Sequence, residues 1–334
     1  MTIHARLGRR GPAAMVAGLL LALAACAPRI EAAGPPIMPP EMKSDHILAA
    51  DGARLPLRVW RAEGPVLAIV IAVHGFNDYS NAFVEPAAFW AAHGITTYAY
   101  DQRGFGGTAN RGLWPGVDSL VEDLRGVIEV IRRGHADTPL YLLGESMGGA
   151  AIMALMARPG PPAVDGVILV APAVRGWRTM NVFYRAGLWL GAHIMPWATP
   201  SGRGLGIKPS DNRDMLIALA KDPYIIKRTR IDALYGLVNL MDAAFDAGPR
   251  MTVPILVLYG DNDQLIPRQP TYRMLAGLKP GYRLALYDTG YHMLLRDLGA
   301  EEVLTDIAAW IKDRSAPLPS GRERAPDSNL TADE

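Results

Sequence analysis

The chain has 334 residues, 50% of them hydrophobic, with 34 Lys and Arg against 33 Asp and Glu and one Cys. That balance excludes a disordered, collagen-like or disulfide-stapled chain, and it leaves no basic footprint for nucleic acid. A chain of this length buries roughly three quarters of its unfolded surface, which favours one compact body carrying an insertion.

The first 26 residues read as targeting rather than fold. Arg6, Arg9 and Arg10 form a basic start, and residues 13–25 form an apolar run. The run is shorter than the ~20 residues of a spanning helix. It ends in Leu23-Ala24-Ala25-Cys26, which resembles a bacterial lipobox. The resemblance implies a signal peptide over 1–25, cleavage before Cys26, and acylation of Cys26 with palmitate-type chains. More than one chain would hold the protein firmly at a membrane of the cell envelope. Ala27, rather than Asp, after the Cys points to the outer membrane. Two other readings stay open: an incidental Cys26 beside an ordinary cleavage site, and a twin-arginine signal at Arg9-Arg10. Residues 26–44 are Pro- and Ala-rich without an apolar period, which predicts a flexible tether.

Beyond the tether, short apolar runs alternate with helical patterns. Strands are predicted at 67–73, 95–100, 140–143, 167–170, 255–259 and 284–287. Several are continuous rather than alternating runs, as strands covered on both faces require. Helices are predicted at 81–92, 118–133, 147–157, 270–278 and 300–312. Strand-then-helix repetition predicts an α/β fold with a mostly parallel, doubly wound sheet and ligands at the carboxyl ends of the strands. Residues 175–247 break the rhythm. They hold Trp177, Trp189 and Trp197 with Met180, Phe183, Tyr184 and Leu188, and read as a helical insertion over the sheet. Those side chains suit either the insertion's own small core or a lid over an acyl pocket. Gly202-x-Gly204-x-Gly206 follows no strand, which disfavours a phosphate cradle. Residues 314–334 are Pro-, Ser- and charge-rich, and a disordered tail is expected.

The sharpest local signal is Gly144-Glu145-Ser146-Met147-Gly148-Gly149, set between an apolar strand and a helical pattern. This is the context of a nucleophile elbow, in which Gly144 and Gly148 leave room for a strained turn at the serine. A serine hydroxyl needs a base to take its proton and an acid to orient that base. Asp263, after the strand at 255–259, is the candidate acid, with Asp261 as competitor. Only His193 and His292 follow Ser146. His193 lies inside the insertion and His292 follows a strand, so His292 is the candidate base. The oxyanion hole needs two backbone N–H groups, expected from Met147 and from Phe76 in His74-Gly75-Phe76-Asn77-Asp78. His74 is expected to shape that loop, and the glycines of the segment from Asp101 to Gly107 to allow a tight turn beside it. No cluster has metal-ligand spacing and no cofactor motif is present, so the expected chemistry needs only water.

These residues resemble the α/β-hydrolase superfamily, and within it the monoacylglycerol lipase and lysophospholipase-like branch. His74-Gly75 with Ser80, Asp101-Gln102-Arg103-Gly104-Phe105-Gly106, the elbow, Gly260-x-x-Asp263-x-x-x-Pro267 and Tyr291-His292-x-Leu294-Leu295 carry the resemblance. It implies an α/β-hydrolase domain over 45–313 with a mobile lid at about 175–247. It also implies a serine ester hydrolase acting on single-acyl lipids, with Ser146, Asp263 and His292 as triad and Phe76 and Met147 as oxyanion donors. Tyr79 stands where the branch often has His, which leaves the alcohol side open. The expected partners are a small lipid ester and, through Cys26, a membrane, with no nucleic acid and no obligate protein partner. A short-chain carboxylesterase, an amidase or peptidase, and a silent binding module on the same fold are the alternatives.

Overall fold

The computed structural model describes residues 27–200 and 206–324. Cys26, the signal sequence, Gly202 and Gly204 lie outside the described residues. The chain begins with a small hairpin, β1 (Glu41–Met42) and β2 (His46–Leu48), followed by β3 (Arg54–Trp60) and β4 (Ala68–Val73). Helix α1 (Val84–Ala91), β5 (Ile95–Tyr100), α2 (Val117–Gly134) and β6 (Leu140–Glu145) come next. Then follow α3 (Met147–Met156), β7 (Gly166–Val170), α4 (Val182–Ile194), α5 (Arg213–Lys221) and α6 (Ile231–Phe245). The body closes with β8 (Ile255–Gly260), α7 (Arg268–Gly277), β9 (Arg283–Tyr287), α8 (Ala300–Lys312) and β10 (Glu323–Arg324).

The strands form one sheet in the order β1-β2-β3-β5-β4-β6-β7-β8-β9-β10. From β5 to β9 all neighbours are parallel, and the pairs at both edges are antiparallel. The doubly wound α/β expectation therefore holds. Strand β4 illustrates why: Ile69, Ile71 and Val73 pack into the layer of α2, α3 and α6, whereas Ala68, Val70 and Ala72 pack into that of α1 and α8. Both faces are dry, so an unbroken apolar run is needed where a half-exposed strand would alternate. The predicted strands and helices recur within a few residues. Strand β3, with Leu55 and Leu57 buried at alternate positions, and the short edge pairs are additions.

Three expectations about the margins change. The stretch expected as a tether is laid against the body. Ile37 and Met38 N–H donate to Ala50 O at 2.8 and 3.1 Å, and Ala33 N–H donates to Ser119 Oγ at 2.8 Å. Ile30 bridges Trp114, and Arg29 N–H donates to Asp232 at 3.3 Å. Prolines lack a donor but fix an extended backbone, so such a strap bonds to other elements instead of to itself. The stretch expected as a disordered tail is in part a tenth strand. β10 pairs with β9, Arg283 and Glu323 form a salt bridge at 2.6 Å, and Leu318 is buried. Residues 325–334 lie outside the described part.

The insertion also divides. Helix α6 buries Ala233, Leu237, Leu240, Met241 and Ala244 in the main core, and a Cβ on Gly236 would come within 2.3 Å of the Trp114 ring. That helix is body. Helices α4 and α5 form the cap proper, with Ala192 the one buried residue of α4 and none buried in α5.

Truncation after Asp313 tests the C-terminal segment. Losing the burial of Leu318 alone is worth about 1.5–3 kcal/mol, so the urea midpoint should fall. An unchanged midpoint would show that residues 314–324 are not held by the body.

Candidate active site

The site is built at the carboxyl ends of β6, β8 and β9. Between β6 and α3 the chain turns in one residue, Ser146, whose φ of 53° and ψ of −114° lie in a region that residues with a Cβ rarely adopt. The turn closes only because its flanks are bare. A Cβ on Gly148 would lie 1.9 Å from Val73 O, and one on Gly144 would lie 2.4 Å from Gly149 N. The strained residue is pinned by hydrogen bonds: Ser146 N–H donates to Val170 O at 2.9 Å, and Ala173 N–H donates to Ser146 O at 3.0 Å. Its side chain is thereby lifted above the sheet edge.

After β8 the chain makes a turn capped by Asp263. One carboxylate oxygen of Asp263 accepts N–H from Leu265 and Ile266 at 2.8 and 2.9 Å. The other faces His292 Nδ1 at 2.7 Å. His292, in the loop after β9, places Nε2 2.9 Å from Ser146 Oγ. The two loops meet because Gly260 has no side chain; a Cβ there would sit 2.5 Å from Gly290 C. With Nδ1–H donating to Asp263, Nε2 is left as the acceptor of the serine proton. Ser146, Asp263 and His292, chosen by order along the chain, thus form one hydrogen-bonded run.

The competitors lie elsewhere. Asp261 faces Arg268 at 3.4 Å. His193 donates back to Trp189 O at 2.7 Å within α4 and stacks on the Trp189 ring. His74 is fully buried, with Nδ1 on Gly75 O at 2.8 Å and Nε2 accepting Gln102 N–H at 3.0 Å. Burial lowers its proton affinity, which suits a neutral ring that shapes the loop. Asp101 braces the same region, accepting N–H from Ser80 at 3.0 Å and from Gly107 at 2.7 Å.

Gly75 lies directly against Ser146, since a Cβ on Gly75 would be 3.5 Å from Ser146 Cβ, and Phe76 is the next residue of that loop. Among the described residues, neither Phe76 N–H nor Met147 N–H donates to a protein acceptor. Both remain available to a ligand oxygen. The next residues fasten this loop to the segment between α5 and α6. Tyr79 O–H donates to Asp222 at 2.7 Å, Asn77 Nδ2 donates to Thr229 Oγ1 at 2.7 Å, and Ile226 N–H donates to Asn77 O at 3.0 Å. Tyr79 is buried and committed to Asp222.

A cavity of about 680 Å³ opens over Ser146 and His292. Met180, Tyr184 and Leu188 of the cap and Leu237, Val238 and Met241 of α6 make most of its wall apolar. That size is within the range of small-molecule sites. Among the described residues no group of three His, Cys, Asp or Glu is placed to hold a metal. One buried feature left no sequence signal: Arg296, Asp78 and Glu145 form a charged cluster at the cavity floor. Each residue alone reads as an ordinary surface charge.

Residues 64–299 match the hydrolase family described as serine aminopeptidase, S33. Mouse monoglyceride lipase is 27% identical over 240 residues, covering 69% of this chain and 76% of the relative. Monoacylglycerol lipase of Mycolicibacterium smegmatis is 26% identical over 238 residues, covering 67% and 81%. The fold is also similar to a soluble variant of monoglyceride lipase from Saccharomyces cerevisiae, solved with a substrate analog. That match has a TM-score of 0.68 at 18% identity and covers 86% of this chain and 98% of the other.

The imidazole of His292 feels opposed effects. Burial, the largest single influence, pushes its proton affinity down, and Arg296 adds to that, but the charge and hydrogen bond of Asp263 together with the charge of Glu145 outweigh them. The balance lies above the ordinary 6.5. Protonated His292 cannot accept the serine proton, so a reaction through this pair loses kcat/KM as pH falls through that raised value. The acid limb of the pH profile should have its midpoint above 6.5, and a midpoint below it would contradict the arrangement.

Proposed function

The chain belongs to the hydrolase family described as serine aminopeptidase, S33, and on that premise we propose that it cleaves the esters of single-acyl lipids, monoacylglycerols or lysophospholipids, through an acyl-enzyme. The observation that carries the reading is the run Asp263–His292–Ser146 at the floor of a largely apolar cavity. Ser146 Oγ attacks the acyl carbonyl while its proton passes to His292 Nε2, and Asp263 holds the resulting imidazolium. The carbonyl oxygen takes up the negative charge between Phe76 and Met147 N–H. Removing one such donor typically costs about 2.7–4 kcal/mol of transition-state stabilisation. Collapse returns the proton to the departing alcohol. Water then attacks the acyl-serine by the same route and releases the fatty acid.

Two features favour a lipid over a small ester. The cavity wall is built from side chains suited to an alkyl chain. Helix α4, whose Tyr184 and Leu188 line the cavity, also leaves Phe183 84%, Val182 67% and Trp189 51% exposed. Exposed large apolar side chains grouped on one helix are the kind of surface that meets a lipid or another apolar partner. Among the described residues no helix is long and apolar enough to cross a membrane. Membrane attachment through acylated Cys26 is part of the proposal and rests on the lipobox-like Leu23-Ala24-Ala25-Cys26.

Ser146→Ala should abolish hydrolysis of long-chain monoacylglycerols and lysophospholipids, with the urea midpoint close to wild type. Wild type should prefer these to short-chain esters. Activity persisting in Ser146→Ala would overturn the nucleophile, and a short-chain preference would turn the reading to a general carboxylesterase. Cys26→Ala in the full chain, expressed in a bacterium with lipoprotein processing, should move the protein out of the membrane fraction. Unchanged partition and no incorporation of labelled palmitate would refute the anchor.

A further inference from the structure

The charged cluster beneath the cavity lies outside the proposed proton relay, yet it joins three of the segments that build the site. Arg296 follows His292 in the same loop, its N–H donating to Met293 O at 2.8 Å. Its Nη2 reaches Asp78 Oδ2 at 2.7 Å and Glu145 Oε2 at 3.1 Å. Asp78 belongs to the loop that carries Phe76, and its other oxygen accepts Tyr79 N–H at 2.8 Å. Glu145 is the last residue of β6, immediately before the nucleophile. One guanidinium therefore spans the base loop, the oxyanion loop and the elbow.

Packing gives no reason for charges here. The side chains of Arg296 and Asp78 are 7% exposed and that of Glu145 is 3% exposed. Among the described residues, Arg296 Nε and Glu145 Oε1 have no hydrogen-bond partner. Apolar side chains of the same volume would fill such a space at least as stably. The cluster also leaves two carboxylates against one cation. What it does supply is geometry, because charge-assisted hydrogen bonds, here 2.7 and 3.1 Å from one nitrogen, hold their partners at a distance that apolar contacts do not impose.

We propose that Arg296 is a positioning residue of the reaction, tying Asp78 and Glu145 to the His292 loop so that Phe76 N–H, Met147 N–H and Ser146 Oγ keep the spacing that the tetrahedral oxyanion requires. This rests on the acyl-enzyme reading above. The charges act as well as the contacts. The ionised groups that bear on His292 are Asp263, Glu145 and Arg296, and those that bear on Glu145 include Asp78 and Asp297. Glu145 favours the imidazolium and Arg296 disfavours it, so changing either shifts the pH at which the base works, in opposite directions.

The test compares Arg296→Met, Arg296→Lys and Glu145→Gln on one soluble ester, with kcat, KM and the acid limb of kcat/KM read for each. A displacement of ~1 Å in a reacting geometry costs on the order of a hundredfold in rate. Arg296→Met should lose kcat on that scale with little change in KM, and Arg296→Lys should recover part of it. The acid limb should move to higher pH in Arg296→Met and to lower pH in Glu145→Gln. A lysine that performs no better than methionine, or acid limbs that stay at the wild-type midpoint, would overturn the proposal. If Arg296→Met does not accumulate folded, Arg296→Lys and Glu145→Gln decide it by the same criteria: kcat reduced with KM held, and the limb of Glu145→Gln lowered. Labelling of wild type by a fluorophosphonate, absent in Ser146→Ala, separates the two levels. Without labelling the acyl-enzyme reading fails and this proposal with it; with labelling and unshifted variants, only the role of Arg296 fails.

Discussion

At Ser146 the chain passes from β6 into α3 within one residue, and it can do so only because nothing larger than hydrogen stands at Gly144 and Gly148. A non-glycine residue at such dihedrals costs on the order of 1–3 kcal/mol. The cost is tolerated because the turn is clamped by Val170 O on one side and Ala173 N–H on the other. The clamp needs β7 at its place beside β6, which needs the dry parallel sheet, which needs helices on both faces. The same close approach brings Val73 O beside Gly148, and so places the loop that begins at His74 against Ser146.

Features set by local geometry are the ones the amino-acid sequence discloses. A turn that forbids side chains at two positions leaves glycines there, and strands dry on both faces leave unbroken apolar runs. Asp263 and His292 were recognisable by order and strand-end position, and the structure brings them together. What was hidden is held by partners distant in the chain. The strap at 27–43 bonds to Ala50, Trp114 and Ser119 from an extended backbone, which has no period of its own. Strand β10 is two residues long, and its pairing with β9 cannot be read from two polar side chains. Helix α6 reads as part of the lid because the sequence discloses its apolar residues but not their target, the face of α3. The Arg296 cluster is the extreme case, since 151 and 218 residues separate the arginine from its two partners.

Cap and body are not independent pieces. The connector between α5 and α6 is stitched to Asn77 and Tyr79 by three hydrogen bonds. Asn77 has a φ of 65°, a left-handed conformation that Asn accepts more readily than other residues with a Cβ, and its side chain and carbonyl are both tied to the connector. Tyr79, in the position that raised the question of the alcohol side, is occupied in this joint rather than turned toward the cavity. Loop shape and cap placement are thus one hydrogen-bonded unit.

The strap has a consequence for reach and orientation. A free coil over 27–43 would let the body drift about 20–25 Å from its point of attachment and tumble there. Fastened as it is, the segment has no slack. Arg29 N–H is bonded to Asp232, whose own N–H is bonded to Pro196 O, so the chain leaves the body two hydrogen bonds from the end of α4. Trp197, 55% exposed, stands beside that exit. The strap therefore fixes where Ala27 leaves the body, beside the end of the apolar helix α4, instead of letting that point wander as a free coil would.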